Sequence, residues 1–141
     1  VLLDSLKKRI SFLNEVIKNL DLKDITAIHG RAEDFARQKD YRGSFDLCVS
    51  RAVAGLNVLS EYCLPFVKNG GYFISYKSGK INEEIEKAGK AAEILGGKIE
   101  NQIKFNLADK DIERSFVMIR KEKNTPGKYP RKAGLPAKEP L

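Results

Sequence analysis

The sequence predicts an α/β fold with a doubly wound, mainly parallel sheet. Short apolar runs alternate with amphipathic stretches along most of the chain, and glycines end several of these segments. The last two apolar runs lie too close together for a helix to separate them. Strands joined through helices pair in parallel, whereas strands joined by a short turn pair antiparallel. We therefore expect a parallel sheet that ends in an antiparallel hairpin.

The first part of the chain predicts three strands and two helices. Residues 2–4 are typical of a buried strand, and Ser5 is a candidate cap for the helix that follows. One face of that helix is predicted to carry Leu6, Ile10, Leu13, Ile17 and Leu20. A strand over 25–30 precedes a weakly helical segment, 31–39. The apolar run 45–50 is typical of a strand covered on both faces.

The second part predicts two more helices and three more strands. Leu56, Leu59, Cys63 and Phe66 outline a helix that we expect to end at residues 69–71, before a strand over 71–77. The next helix should bury Ile85, Ala88, Ala92 and Leu95 and end at Gly96 and Gly97. The runs 98–107 and 114–121 then predict the antiparallel hairpin.

The charge distribution points to a polyanionic partner. The net charge is +7, and residues 121–141 contain six basic and two acidic side chains. Four of the five prolines also lie in this region. We divide the chain into a domain over 1–121 and an extended, basic, proline-rich tail over 122–141. The alternative is that the tail only solvates the protein as a linker.

Several function classes find no support in the residues. Cys48 and Cys63 are isolated and predicted to be buried as small hydrophobic side chains, and with the single His29 they lack zinc-ligand spacing. No apolar run approaches the roughly 18 residues that a bilayer requires, so we expect a soluble, cytoplasmic protein without membrane or metal.

Polar residues follow the predicted strand ends, where doubly wound sheets bind ligands. They are Asp4 and Ser5, then 30–33, 50–52 and 77–79. A carboxylate such as Asp4 can accept hydrogen bonds from two neighbouring ribose hydroxyls. Each residue also has a simpler interpretation. Asp4 could cap a helix, Glu33 could be a surface acid, Arg51 could pair with a carboxylate, and Lys77 could be solvated.

The longer motifs allow a more specific interpretation. The segments LLDSLKKRISFL, GRAEDF, FDLCVSRAVAGLNVLSEYCLP, GGYFISYKSG and NTPGKYPRKAGLPAKEPL resemble the bacterial small-subunit rRNA guanine-N7 methyltransferase family, also called the glucose-inhibited division protein B family. The resemblance covers nearly the whole chain. It implies a class I fold that uses S-adenosylmethionine. It also implies a first strand and a glycine-rich loop before residue 1, so we expect the sequence to be an amino-terminally truncated fragment.

The resemblance also assigns roles to residues of this chain. It implies that Asp4 binds the cofactor ribose, with Ser5 and Leu6 beside it, and that the Ala32 backbone and the Glu33 side chain hold the adenine. Arg51 would lie close to the methyl group and the target base. Basic residues that we expect to contact RNA are Arg31, Lys77, Arg114, Arg131 and Lys132.

The implied reaction requires few catalytic residues. Guanine N7 has a free lone pair and no proton, so no general acid or base is assigned. The expected partner is 16S rRNA or a small-subunit assembly intermediate, bound by a monomer. Two alternatives stay open: a non-catalytic RNA- or ribosome-binding module that is inactive alone, and an NAD(P)-linked oxidoreductase suggested by the spacing of Tyr76 and Lys80. The oxidoreductase alternative is disfavoured, because Tyr76 and Lys80 are expected at the end of a strand and would not share the helix face that this chemistry requires.

Overall fold

A computed structural model describes residues 1–79, 81–107 and 112–141 of the chain. Strands and helices alternate through most of this part, as predicted. In order they are β1 Leu2–Asp4, α1 Lys7–Asn19, β2 Ala27–His29, α2 Ala32–Phe35, β3 Phe45–Arg51, α3 Leu56–Cys63, β4 Val67–Ser78, α4 Asn82–Ile94, β5 Gly97–Asn106, β6 Glu113–Lys121 and α5 Leu135–Lys138. A short 3-10 helix, Leu64–Phe66, connects α3 to β4.

The strands form two groups in the described part of the chain. β1 and β2 pair in parallel, and β3, β4, β6 and β5 form a four-stranded sheet in that order. β3 pairs in parallel with β4, whereas β6 pairs antiparallel with both β4 and β5. The α/β fold class and the terminal hairpin are thus confirmed. Part of the link between β5 and β6, 108–111, lies outside the described residues.

The core lies where α3 and α4 pack on the four-stranded sheet. Leu56 at the start of α3, Leu64 just after it, Phe73 on β4 and Leu95 after α4 are all fully buried. Burial of one large apolar side chain stabilises a fold by about 1.5–3 kcal/mol. The predicted faces of α3 and α4 are therefore correct, and they hold the sheet from one side.

The structure corrects the predicted end of α3. This helix stops at Cys63, and β4 already begins at Val67, so residues 67–69 are strand rather than helix. The cause is Pro65, which has no backbone N–H to donate to the carbonyl four residues earlier and so cannot continue the α-helical hydrogen bonds. The chain passes through the 3-10 helix instead.

β3 is less covered than its apolar sequence predicts. Leu47 and Val49 are each 52% exposed, and they line a groove of about 390 Å³ between β1 and β3. The expectation that both faces of this strand are covered is not met in the described residues. We call this opening the β1–β3 groove.

The tail is not extended, contrary to the prediction. Residues 122–141 fold back on the body, and Thr125, Tyr129, Pro130 and Pro136 are buried. Arg42, which precedes β3, donates to the carbonyl oxygens of Thr125 at 2.8 Å and Tyr129 at 2.9 Å. A guanidinium has five N–H donors, so one side chain can hold several carbonyls of an irregular segment.

Lys121, the last residue of β6, anchors the start of the tail. Its side chain is buried, and Nζ donates to Leu64 O at 2.8 Å, to Leu95 O at 3.2 Å, and to the Thr125 hydroxyl. The three N–H groups of an ammonium match these three acceptors. Burial, with a smaller effect of the charge on Arg42, lowers the pKa of Lys121 to about 7.

We predict that Lys121 makes stability depend on pH. The unfolded-state pKa is near 10.5, so the unfolded chain binds more protons between about pH 7 and 10.5. The free energy of unfolding should therefore rise with pH in that window, by about 2 kcal/mol over two pH units. Urea unfolding of the full-length protein measures it. The rise should vanish in Lys121→Met and persist in Lys123→Met, an exposed neighbour. An equal pH dependence in both variants would contradict the assignment.

Candidate cofactor-binding rim

The carboxylate of Asp4 lies at the carboxyl end of β1. Oδ1 accepts a hydrogen bond from Leu6 N at 2.8 Å, and Oδ2 accepts one from Arg9 Nη1 at 3.1 Å. The Leu6 N–H, and then Arg9, lower the pKa of this carboxyl. A carboxylate has about four lone-pair sites, so both oxygens can accept further hydrogen bonds. The prediction that Ser5 caps α1 is thus wrong. Asp4 accepts the hydrogen bond from Leu6 N, the residue before α1, and α1 itself has no side-chain cap.

The pairing of β1 with β2 brings the start of α2 next to Asp4. Asp4 is opposite His29 in the register, and Gly30 N donates to Asp4 O at 3.0 Å. His29 Nε2 lies 3.1 Å from Ser5 O, which ties the two strand ends together locally. A Cβ at Gly30 would overlap the Phe35 ring, so this tight turn requires glycine. Ala32 follows at the first position of α2.

Ala32 and Asp4 both line the β1–β3 groove. α2 begins at Ala32, and the first amides of a helix have no partner within the helix. The rim therefore offers a carboxylate at one strand end and helix amides at the next. Ala32 and Asp4 are the two predicted cofactor residues that the structure brings into one groove.

Glu33 points away from this groove to the tail. Its side chain is buried, and Oε1 accepts a hydrogen bond from Gly134 N at 2.8 Å. The predicted contact between its side chain and adenine stays a prediction. In the structure, the Glu33 carboxylate instead joins the beginning of α2 to the tail.

Arg51 borders the groove at the end of β3. Ser50 and Val53 line the groove on either side of it, and Arg51 itself is exposed. Neighbouring residues of a strand point to opposite faces, so Arg51 is directed away from the face of Ser50. Arg51 forms no ion pair with any carboxylate in the described residues.

Lys77, one of the predicted RNA contacts, is bonded within the protein. Its side chain is 12% exposed, and Nζ lies 2.6 Å from Glu84 Oε1 and 2.8 Å from Ala54 O. These partners belong to α4 and to the loop before α3. Lys77 therefore connects three elements at the sheet edge.

Arg131, also a predicted RNA contact, forms a buried ion pair with Glu61 of α3. Its Nε and Nη2 donate to the carboxylate at 3.0 and 2.7 Å, and its backbone N donates to Oε1 at 2.7 Å. The Glu61 side chain is 1% exposed. The hydrogen bonds to Glu61 raise the pKa of Arg131. This pair fixes the middle of the tail to the body.

Three predicted RNA contacts are not held in ion pairs within the described residues. Arg31 and Lys132 are exposed, and Arg114 donates from Nη1 to the neighbouring Glu113 O at 3.0 Å. Gly134 N donates to Glu33, so the segment that contains Lys132 meets the segment that contains Arg31.

Comparison with known proteins places the chain in a family. The family described as rRNA small subunit methyltransferase G (GidB) matches residues 1–116. The chain belongs to this family. It is 58% identical over its whole length to the ribosomal RNA small subunit methyltransferase G of Lachnoclostridium phytofermentans and 59% identical over 140 residues to that of Acetivibrio thermocellus. It spans 58% and 57% of the lengths of these two relatives.

Solved structures agree on the fold. The crystal structure of M. jannaschii TYW2 in complex with AdoMet has a TM-score of 0.60 at 16% identity, over 84% of this chain and 56% of that one. A methyltransferase structure from Thermoplasma acidophilum has a TM-score of 0.64 at 9% identity, over 87% and 57% of the two chains. At these identities the similarity shows the class I fold of this methyltransferase G family member.

Sequence reasoning missed Glu61, Glu84 and Gly134 in this methyltransferase G chain. Glu61 gave a usable signal, because it is the single charged residue of a largely buried helix and a buried carboxylate needs a partner. Glu84 accepts from Leu56 N and Gly134 donates to Glu33, and both contacts join residues distant in sequence, which no local pattern reveals.

Other site types find no support in the described part of the chain. It contains no cluster of residues that could hold a metal ion, and none of its helices is long and apolar enough to cross a membrane. Tyr76 lies in β4, and Lys80, its suggested oxidoreductase partner, lies outside the described residues. Cys63 is buried as predicted, whereas Cys48 is only partly buried.

We predict that Arg131→Ala destabilises the fold by about 3–5 kcal/mol, because it leaves the buried Glu61 carboxylate without a cation, with only the backbone N–H of residue 131 as a donor. Urea unfolding and limited proteolysis of the tail measure the effect. The matched control is Lys132→Ala, which removes an exposed cation and should change stability by less than about 0.5 kcal/mol. Equal stability of the two variants would show that the pair does not hold the tail.

Proposed function

We propose that the protein transfers a methyl group from S-adenosylmethionine to guanine N7 of 16S rRNA in the cytoplasm, as a monomer acting on the small subunit or its assembly intermediate. Family membership supports the reaction class. The observation that carries the proposal is the shared placement of Asp4 and Ala32 in one groove at the strand ends. Because the chain spans only part of the relatives' length, the proposal concerns the full-length protein.

The hydrogen-bonding groups of the rim, a carboxylate acceptor and backbone N–H donors, fit an adenosine. The Asp4 carboxylate would accept hydrogen bonds from the two ribose hydroxyls, with Ser5 and Leu6 beside it. The backbone at Ala32 and Glu33 would hold the adenine edge, because amides at the start of a helix are free to donate. When bound, S-adenosylmethionine supplies an electrophilic methyl group on a sulfonium.

The chemistry assigned to the residues is alignment. Guanine N7 can use its lone pair directly, so no side chain of this chain has to remove a proton. Orientation of two reactants can contribute about 7–11 kcal/mol to lowering a barrier. Arg51, exposed at the end of β3, is the side chain that we place beside the target base.

We further propose that another segment of the full-length protein covers the apolar part of the β1–β3 groove at Leu47 and Val49, and leaves the rim at Asp4 and Ala32 to the cofactor. Two observations support this: Leu47 and Val49 are half exposed there, and in the described residues β3 pairs only with β4. An exposed apolar strand edge is a site for pairing and aggregation unless another segment protects it. The first strand implied by the resemblance is a suitable cover.

The RNA-binding surface that we propose is smaller than the charge suggests. Arg31, Arg114 and Lys132 are its members, because Lys77 and Arg131 are held by carboxylates. Lysine and arginine bind phosphates with an affinity that falls as salt rises.

We predict that Asp4→Asn weakens S-adenosylmethionine binding by about 10–100-fold, because a hydrogen bond to a charged group contributes about 1.5–3 kcal/mol. Asparagine retains an oxygen for Leu6 N, so the fold should persist. Titration calorimetry on the full-length protein measures it. Asp40→Asn, an exposed site, is the control. Equal affinity of the two variants would remove Asp4 from the cofactor site.

We also predict that Arg31→Ala combined with Lys132→Ala reduces affinity for rRNA and makes it less dependent on salt. Each lost phosphate contact should lower the slope of log K against log salt by about 0.7–0.9. Lys90→Ala on α4 is the control cation. Filter binding at several salt concentrations measures the slope, and an unchanged slope would exclude this surface.

A further inference from the structure

The loop between β3 and α3 is held in an unusual conformation. It contains Ala52, Val53, Ala54 and Gly55, and it directly follows Arg51. Ala52 has φ of 54°, the left-handed region that residues with a Cβ rarely adopt. Such a conformation persists only where surrounding contacts determine it, and it is often found at functional sites. The contacts that fix this loop are therefore informative.

Glu84 supplies the cap that α3 lacks. The N-cap residue of α3 is Gly55, which has no side chain to receive the free amides. The Glu84 carboxylate, from the first turn of α4, instead accepts from Leu56 N at 2.5 Å. A carboxylate is favourable at the positive, amino-terminal end of a helix. Glu84 belongs to the first turn of α4, and its carboxylate also lies at the first amide of α3.

Lys77 holds the same loop from the sheet. Its Nζ donates to Ala54 O at 2.8 Å and to the oxygen of Glu84 that receives Leu56 N, at 2.6 Å. The loop is thus bound on both sides of Gly55, by an amine from the end of β4 and a carboxylate from α4. The two side chains are also bonded to each other.

The low exposure of Lys77 separates this role from phosphate binding. Its side chain is 12% exposed, and both contacts of Nζ face inward. A lysine that binds phosphate through counterion release has to present its ammonium to solvent. Lys77 therefore has a structural role: it connects the end of β4 to the loop before α3 and to α4.

We propose that Lys77 and Glu84 form a positioning pair that fixes the loop after Arg51, and with it the side of the site where the target base is placed. This rests on the proposed function. Neither residue touches the reacting atoms. Their effect on the reaction is to keep the loop in the one conformation that aligns the base, since small misplacements can reduce a rate by about 100-fold.

The test uses the full-length protein with four variants. Lys77→Met and Glu84→Met each remove contacts to the loop, whereas Glu84→Gln keeps an oxygen for Leu56 N. Glu83→Met, at the exposed neighbouring position of α4, is the matched control. Hydrogen exchange at residues 53–58 reports on the loop without depending on activity. Calorimetry measures S-adenosylmethionine affinity, and single-turnover and steady-state assays on rRNA separate kcat from KM.

The proposal expects faster exchange at Leu56 in Lys77→Met and Glu84→Met but not in Glu83→Met. It expects kcat to fall about 10–100-fold in both, with cofactor affinity and the salt dependence of RNA binding unchanged. Glu84→Gln should recover part of kcat and protection. A loss of RNA affinity with a shallower salt slope in Lys77→Met would overturn the proposal, as would unchanged exchange and kcat. Failure of the proposed function is distinct, because the unsubstituted protein would then neither bind the cofactor nor methylate rRNA.

Discussion

The pairing of β4 on both of its sides is the constraint on which this structure depends. β3 pairs with it in parallel, so the carboxyl ends of these two strands meet at one edge. β6 pairs with it antiparallel from Tyr72 to Ser78, and this brings the terminal hairpin into the sheet. Phe73, fully buried on β4, packs in the core with α3 and α4. One strand thus fixes both the end of β3, where Arg51 lies, and the closing hairpin.

Buried polar side chains determine where the tail lies. Its sequence is rich in proline and lysine and has little apolar surface, so hydrophobic burial alone cannot place it. Lys121 donates a hydrogen bond to the Thr125 hydroxyl at the start of the tail, and Arg42 donates to the tail's carbonyl oxygens. Glu61 accepts hydrogen bonds from Arg131 in the middle of the tail. Buried charges are costly without partners but give a definite geometry when their hydrogen bonds are complete. The tail is therefore part of the folded body.

Sequence reasoning recovered what depends on local periodicity. The buried faces of α3 and α4 and the terminal hairpin follow from spacing and loop length, and the position of Asp4 at the end of a strand follows from the same pattern. Partners distant in sequence could not be predicted. Lys77 and Arg131 were predicted to contact RNA, because the carboxylates that bind them, Glu84 and Glu61, come close to them only in the folded protein.

The tail and the rim are coupled through Glu33. Glu33 lies in the first turn of α2, beside the backbone that we assign to adenine. Its carboxylate accepts a hydrogen bond from Gly134 N in the tail. Gly134 has φ of 84°, a conformation suited to glycine. The turn of the tail at this residue therefore directs the Gly134 N–H toward the Glu33 carboxylate. A shift of the tail must therefore strain the start of α2. The basic sequence that first indicated RNA binding consequently also acts as a structural support of the proposed cofactor site.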